Sequence, residues 1–157
     1  MRTLDDIDRA LLDALTTDAR QTVRALARRV ELSEPAVRDR VLRLERDGVV
    51  GGYHAALDPA AVGGETAAFV SLRFGPDESK QRVNEALTEE QCVLEVHEVA
   101  GDDCYWLKVR VTSTSSLADT LDRLRSIPSV HSTSTTIVLK TIFERPLSVG
   151  SPAPTEQ

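Results

Sequence analysis

Between positions 20 and 46 the chain carries eight arginines, Arg20, Arg24, Arg28, Arg29, Arg38, Arg40, Arg43 and Arg46, against four acids. The whole chain of 157 residues has a formal charge of −6. Guanidinium groups are the side chains best suited to phosphate and to the acceptor edge of guanine, which they meet with two parallel N–H donors. A cationic segment inside an otherwise acidic protein is the charge pattern of a small polyanion-docking surface, with the acids discouraging contact elsewhere. Residues 51–157 carry the entire −6, because charges within residues 1–50 cancel. Arginines at such spacing also occur on ordinary solvated helix faces, paired with acids such as Asp39 and Glu45. The choice between these readings depends on the elements that hold the arginines.

Those elements read as three short helices. Leu4, Ile7, Leu11, Leu12 and Leu15 recur at helical spacing up to Thr17, with Asp5, Asp6 and Asp8 in the first turn, where the helix dipole favours acids. Thr22 caps a second helix over Val23–Val30. Ser33 caps a third over Glu34–Asp47, with Pro35 in its first turn and Gly48 just past its end. Val37, Val41 and Leu44 form the inner face of this third helix. The opposite side then offers Glu34, Ala36, Arg38, Asp39 and Arg43. Three helices with a tight link before the third predict a helix-turn-helix, whose third helix enters the major groove of double-stranded DNA. The candidate DNA contacts are Ser33, Glu34, Pro35, Ala36, Arg38, Asp39, Arg40 and Arg43. The free N–H groups behind Ser33 suit a phosphate, and an acid among the arginines suits base selection.

Val49–Ala55 reads as a short extended segment, and Leu57–Gly64 as a linker with a turn of helix. From Glu65 the period changes. A strand over Thr66–Phe74, a break at Gly75-Pro76 and a helix over Asp77–Thr88 are followed by a strand over Val93–Val99. A turn at Ala100–Asp103 leads into a strand over Cys104–Val111. A helix capped by Ser115 or Ser116 runs to Ser126, and a long strand spans Val130–Phe143. The order β-α-β-β-α-β predicts a ferredoxin-like sheet with two helices on one face. The fold class is therefore α+β, with an N-terminal helix-turn-helix (winged-helix-like) domain over 1–50. A linker over 51–64, a ferredoxin-like βαββαβ domain over 65–145 and a flexible tail over 146–157 complete it.

Cys92 and Cys104 form no CxxC pair, and the hairpin register sets Cys104 near Val99, so two reduced thiols and no metal site are expected. No apolar run approaches the roughly 20 residues of a membrane span, and the N-terminus lacks a signal-peptide core, so a cytoplasmic location without membrane contact is expected.

Four stretches carry a resemblance beyond these patterns: LDDIDRALLDAL (4–15), ALARRVELSEPAVRDRVLRLERDGVVGGY (25–53), VAGDDCYWLKVRV (99–111) and SIPSVHSTSTTIVLKT (126–141). In this order, over roughly 4–145, the chain resembles the Lrp/AsnC (feast/famine) family of transcriptional regulators. The resemblance implies a sequence-specific DNA-binding regulator, not an enzyme, that responds to an amino acid or related small metabolite. It implies a homodimer built through the C-terminal sheet and assembling to a tetramer or octamer, with the effector between dimers and assembly modulated by it. No cofactor is implied beyond such an effector, and some members have none. Carried over, the effector region comprises Gly101, Asp102, Asp103, Cys104 and Tyr105 in the loop, and Thr133, Ser134 and Thr135 on the last strand. These are chemically suited residues: acids for an ammonium, glycine for close backbone approach to an anion, hydroxyls for either. Taken alone, the same residues also fit an ordinary hairpin turn and a β-branched strand.

Two other classes share this architecture. Sirohaem decarboxylases would need cations and histidines around a polyanionic tetrapyrrole. Here His54, His97 and His131 are scattered, and the C-terminal part is acidic. RNA-binding RRM domains share the strand order and stack bases on aromatics such as Tyr105 and Trp106, but the basic RNP pattern is absent. No phosphate loop or nucleophile elbow supports another enzyme.

Overall fold

The computed structural model describes residues 3–75 and 80–147, which separate into two units. One comprises the chain through Ala56 together with the segment from Phe143, and the other is Leu57–Ile142.

The first unit is built from α1 (Asp6–Thr17), α2 (Val23–Arg29) and α3 (Glu34–Arg46). Each starts on a side-chain cap. Asp5 accepts from Asp8 N–H, Thr22 from Ala25 N–H and Ser33 from Ala36 N–H, so orphan donors of each first turn are satisfied. Pro35 occupies the first turn of α3, where its missing donor costs nothing, and Gly48 closes α3 at φ +72°. Leu11 and Ala14 of α1, Leu26 and Ala27 of α2 and Val37 of α3 form the core, with Val41 packed against it. Seven residues of α2 would not hold a helix in water, so this packing sustains it. The expected extended segment from Val49 onward carries no strand ladder among the described residues.

The second unit opens with a 3-10 turn over Ala60–Val62 and continues as β1 (Thr66–Phe74), α4 (Lys80–Glu89), β2 (Val93–Glu98), β3 (Tyr105–Val111), α5 (Thr114–Ser126) and β4 (Val130–Val138). The strands form one antiparallel sheet in the order β2-β3-β1-β4, the ferredoxin-like arrangement. One face carries Val70, Leu72, Leu107 and Val109 and packs on Val83 and Leu87 of α4 and on Leu117 and Leu124 of α5. The registers Phe69↔Lys108, Ser71↔Trp106, Ser71↔Ser134 and His97↔Trp106 assign the other face. In the single chain that face exposes Phe69 (41%) and Trp106 (47%).

Three expectations need correction. Ser113, not Ser115 or Ser116, caps α5, accepting from Ser116 N–H at 3.1 Å. The chain reverses immediately after the buried Val111, and the later serines fall inside the helix. The last strand ends at Val138 rather than Phe143, because its partner β1 begins at Thr66 and Val138 pairs with Ala67. The third is the strand over Val93–Val99, which ends at Glu98 and shifts its register with β3 between Val93 and Glu95. The predicted Gly75-Pro76 break and the helix start at Asp77 fall partly on residues 76–79, outside the described residues, as does most of the predicted tail. Both cysteines are free, and Val99 N–H donates to Cys104 C=O at 3.1 Å, as the hairpin register requires. Among the described residues, no helix is long and apolar enough to cross a membrane, and no group of three His, Cys, Asp or Glu side chains could hold a metal ion.

Candidate DNA interface and effector region

The inner face of α3 is fixed by Val37 and Leu44, both buried. Helical geometry then turns Ser33, Glu34, Pro35, Arg38 and Asp39 outward, all exposed, with Ala36 half-buried at the edge. Two residues not singled out from sequence join them. Leu42 is 55% exposed in the middle of this face, and the Arg46 side chain is 76% exposed. An apolar side chain there is suited to a thymine methyl group. Beside the start of α3 lies a groove lined by Arg24 and Arg28 of α2 with Glu31, Ser33 and Glu34. Burial of Leu26 and Ala27 is what puts those two arginines outside, a signal already present in the helical period. Glu31 holds the turn between α2 and α3 at φ +54°, a left-handed conformation that is unusual for a residue with a side chain.

Arg40 and Arg43 do not share this face, contrary to the sequence-based expectation. They turn to α1. Arg40 Nη1 donates to Asp8 Oδ1 and to Asp5 Oδ2, each at 2.7 Å. Arg43 Nη2 reaches Asp8 Oδ1 at 3.4 Å, and its Nε is buried without an acceptor. The Asp8 side chain is 1% exposed. A carboxylate that deep requires a cation, and removing one partner of such a pair costs about 3–5 kcal/mol. Asp8 lies three and four residues before Leu11 and Leu12, on the apolar stripe of α1, which is the signal that would have found it. The same contacts pull the Asp5 carboxyl below the usual carboxylate range, with the Asp8 N–H bond the larger cause and Arg40 the next. They push the Arg40 guanidinium further up. At the far end of α3, Tyr53 O–H donates to Glu45 at 2.7 Å, and burial with this acceptor raises its pKa to about 12.

The effector-region residues lie toward one end of the sheet, except Thr135, which pairs with Val70 at the middle of β1, and they do not line one cavity of the single chain. Leu72 of β1 pairs with Tyr105 on one side and Thr133 on the other, so loop and last strand stand two ladder spacings apart, about 10 Å. Tyr105 is buried, its ring set edge-on to Phe74 with centroids 4.8 Å apart and its O–H donating to Asn84 at 2.6 Å. It is a core residue and not a free ligand donor. The half-buried Cys104 thiol points to Phe74 C=O. Thr133 and Thr135 share the helix-facing side of the sheet with Leu72 and Val70, and Thr133 Oγ1 accepts from Arg125 at 3.1 Å. Ser134 stands on the opposite side, across from Ser71. Gly101, at φ +148°, has open space where a side chain would project. Asp102 is exposed, and Asp103 lies 3.9 Å from Arg73, a half-exposed cation the sequence reading did not include. Loop and strand pairing brought it there, and no local spacing signals it.

Comparison with known proteins bears on both regions. The AsnC-type helix-turn-helix domain matches residues 4–45, and the Lrp/AsnC ligand binding domain matches residues 67–148. The HTH-type transcriptional regulator LrpA of Mycobacterium tuberculosis is 42% identical over 144 residues, covering 89% of this chain and 93% of that protein. The solved feast or famine regulatory protein of M. tuberculosis complexed with L-methionine superposes with a TM-score of 0.81 at 41% identity, covering 90% of this chain and 96% of that one. The L-methionine complex of a transcriptional regulator from Neisseria meningitidis superposes with a TM-score of 0.84 at 28% identity, covering 91% and 94%. Two domain matches in order, with near full-length similarity to named regulators, place the chain in the Lrp/AsnC family of ligand-responsive, DNA-binding transcriptional regulators.

Proposed function

We propose that α3 reads the major groove of double-stranded DNA with Arg38, Asp39 and Glu34, while Ser33, Pro35 and Ala36 bring the first turn against a phosphate. Arg24 and Arg28 extend that backbone contact along α2. The carrying observation is the outward face of α3: a capped helix start, exposed Arg38 and Arg46, and inner residues locked by the core and by Asp8. The chain acts as a homodimer that sets two copies of α3 about one DNA turn apart. Selection of a preferred duplex from random DNA, followed by fluorescence anisotropy, tests the reading. Arg38→Ala weakens binding to the selected duplex by roughly tenfold or more and relaxes the base preference. Unchanged affinity and preference would remove Arg38 from the interface.

The effector is an amino acid, a reading supported by the two L-methionine complexes among the relatives. Asp102 and Asp103 receive its ammonium, while Arg73 and the open backbone at Gly101 are placed to receive its carboxylate. Of Thr133, Ser134 and Thr135, Ser134 is the exposed hydroxyl and supplies a second contact. Occupancy between dimers shifts the balance of dimer, tetramer and octamer, and with it the DNA spacing that fits. A thermal-shift series with L-methionine and the other amino acids, with light scattering on any hit, is the test. The expected result is one amino acid that raises the midpoint and changes particle mass, with Asp103→Ala losing that response while keeping DNA affinity. An Asp103→Ala response equal to wild type would exclude this residue.

A further inference from the structure

We infer that Asp8 is a specificity-determining residue of DNA recognition, acting by withholding Arg40 and Arg43 from the phosphate backbone. The inference rests on α3 being the DNA-contacting helix. Arg43 stands one turn after the exposed Asp39 and flanks the outward face, whereas Arg40 stands one turn after the half-buried Ala36 and one turn before the buried Leu44 and would reach that face only through its length. Left unpaired, their long side chains would reach that face and add two cations to it. Instead the Asp8 carboxylate, 1% exposed on α1, takes Arg40 at 2.7 Å and Arg43 at 3.4 Å, and Asp5 takes Arg40 again at 2.7 Å. Of the four arginines of α3, only Arg38 and Arg46 remain on the exposed side.

The consequence follows from how DNA affinity divides. Phosphate contacts tighten binding to every sequence alike, whereas base-edge contacts distinguish sequences. Two more guanidinium groups on phosphates would therefore raise non-specific binding and dilute the preference carried by Arg38 and Asp39. Burying one acid beneath the recognition helix removes that background without removing the arginines, whose side chains stay largely covered.

The experiment uses the full chain and two duplexes, one of random sequence and one selected by the wild-type protein. Affinity is measured across a salt series. Asp8→Asn keeps the side-chain shape and removes the charge. The slope of log K against log salt on the random duplex is expected to steepen by about 0.9, the one further phosphate contact of Arg43, because Asp5 still holds Arg40 at 2.7 Å. The ratio of selected to random affinity is expected to fall at least about threefold. Asp6→Asn, the same charge change at an exposed position of α1, is expected to move neither. An Asp8→Asn slope and ratio equal to those of Asp6→Asn would overturn the inference.

Arg43→Gln provides an independent arm that leaves Asp8 paired with Arg40, and it decides the matter if Asp8→Asn does not fold. Its slope on the random duplex is expected to equal that of wild type, and a slope shallower by about 0.9 would overturn the inference. Arg38→Gln tests the underlying reading separately. It weakens binding to the selected duplex if α3 reads DNA, and leaves it unchanged if another surface does.

Discussion

Asp5 serves two partners at once: it caps α1 through the Asp8 N–H at 2.7 Å, and it holds Arg40 of α3 at 2.7 Å. Both favour its ionised form, so its folded pKa lies below its unfolded value. The sign of the linkage follows. The contribution is complete above the unfolded pKa of about 3.9 and is lost as pH falls through the lower folded value. Acid unfolding of the full chain, followed by far-UV circular dichroism, is therefore expected to soften in Asp5→Asn. That variant keeps an N-cap acceptor but no longer has a charge to protonate. At neutral pH Asp5→Asn should be only slightly less stable than wild type, whereas Asp5→Ala should lose about 1 kcal/mol for the cap alone. Identical acid midpoints for Asp5→Asn and wild type would show that other carboxylates govern the transition. Asp8 was legible in sequence as an acid on an apolar stripe. What one helix could not reveal is that α3 returns two arginines to it.

At the scale of elements, cap and period carry most of the information. Thr22, Ser33, Pro35 and Gly48 bound α2 and α3 because each occupies a position that its own chemistry favours. β1 ends where it was expected to, and the alternation of Tyr105, Leu107, Val109 and Val111 identifies the buried face of β3. Boundaries set by a partner were harder to read. Leu139–Phe143 is as rich in β-favouring residues as the strand before it, but beyond Ala67 only Thr66 remains of β1. The run Thr112-Ser113-Thr114-Ser115-Ser116 offers five hydroxyls able to cap, and only the place where β3 stops selects one. Ser113→Ala is accordingly expected to cost about 1 kcal/mol, while exposed Ser115→Ala changes stability by less than about 0.5 kcal/mol. Denaturant midpoints of the two variants check this, and equal losses would mean that α5 starts elsewhere. The effector region was the least legible. Its loop and strand meet only through β1, and Arg73 enters it from a third segment.

For the whole molecule the decisive surface is the sheet face opposite the helices. Phe69 and Trp106 are exposed there beside the buried Ser71, flanked by an ion cluster in which Glu95 meets His97 and Lys108, each at 3.1 Å. The His97 bond, and after it that of Lys108, hold the Glu95 carboxyl below its usual range. Aromatic side chains at the centre with charges at the rim are the composition of a protein interface. The proposed homodimer would cover that face with a second copy. The chain contains one tryptophan, so Trp106 reports on the event. Its emission is expected to be blue-shifted at micromolar protein and to move red on dilution, in step with the mass from light scattering. Phe69→Glu places a charge at the centre of the face without touching the core. It is expected to give red-shifted emission at every concentration and a monomer mass. Losing the second recognition helix removes the gain from linked binding, so affinity for the selected duplex should fall by about a hundredfold or more. Arg38 and the whole helix-turn-helix are intact in that variant, so such a loss is attributable to assembly. A Phe69→Glu protein that keeps both the wild-type mass and the wild-type affinity would move the dimer interface away from this sheet.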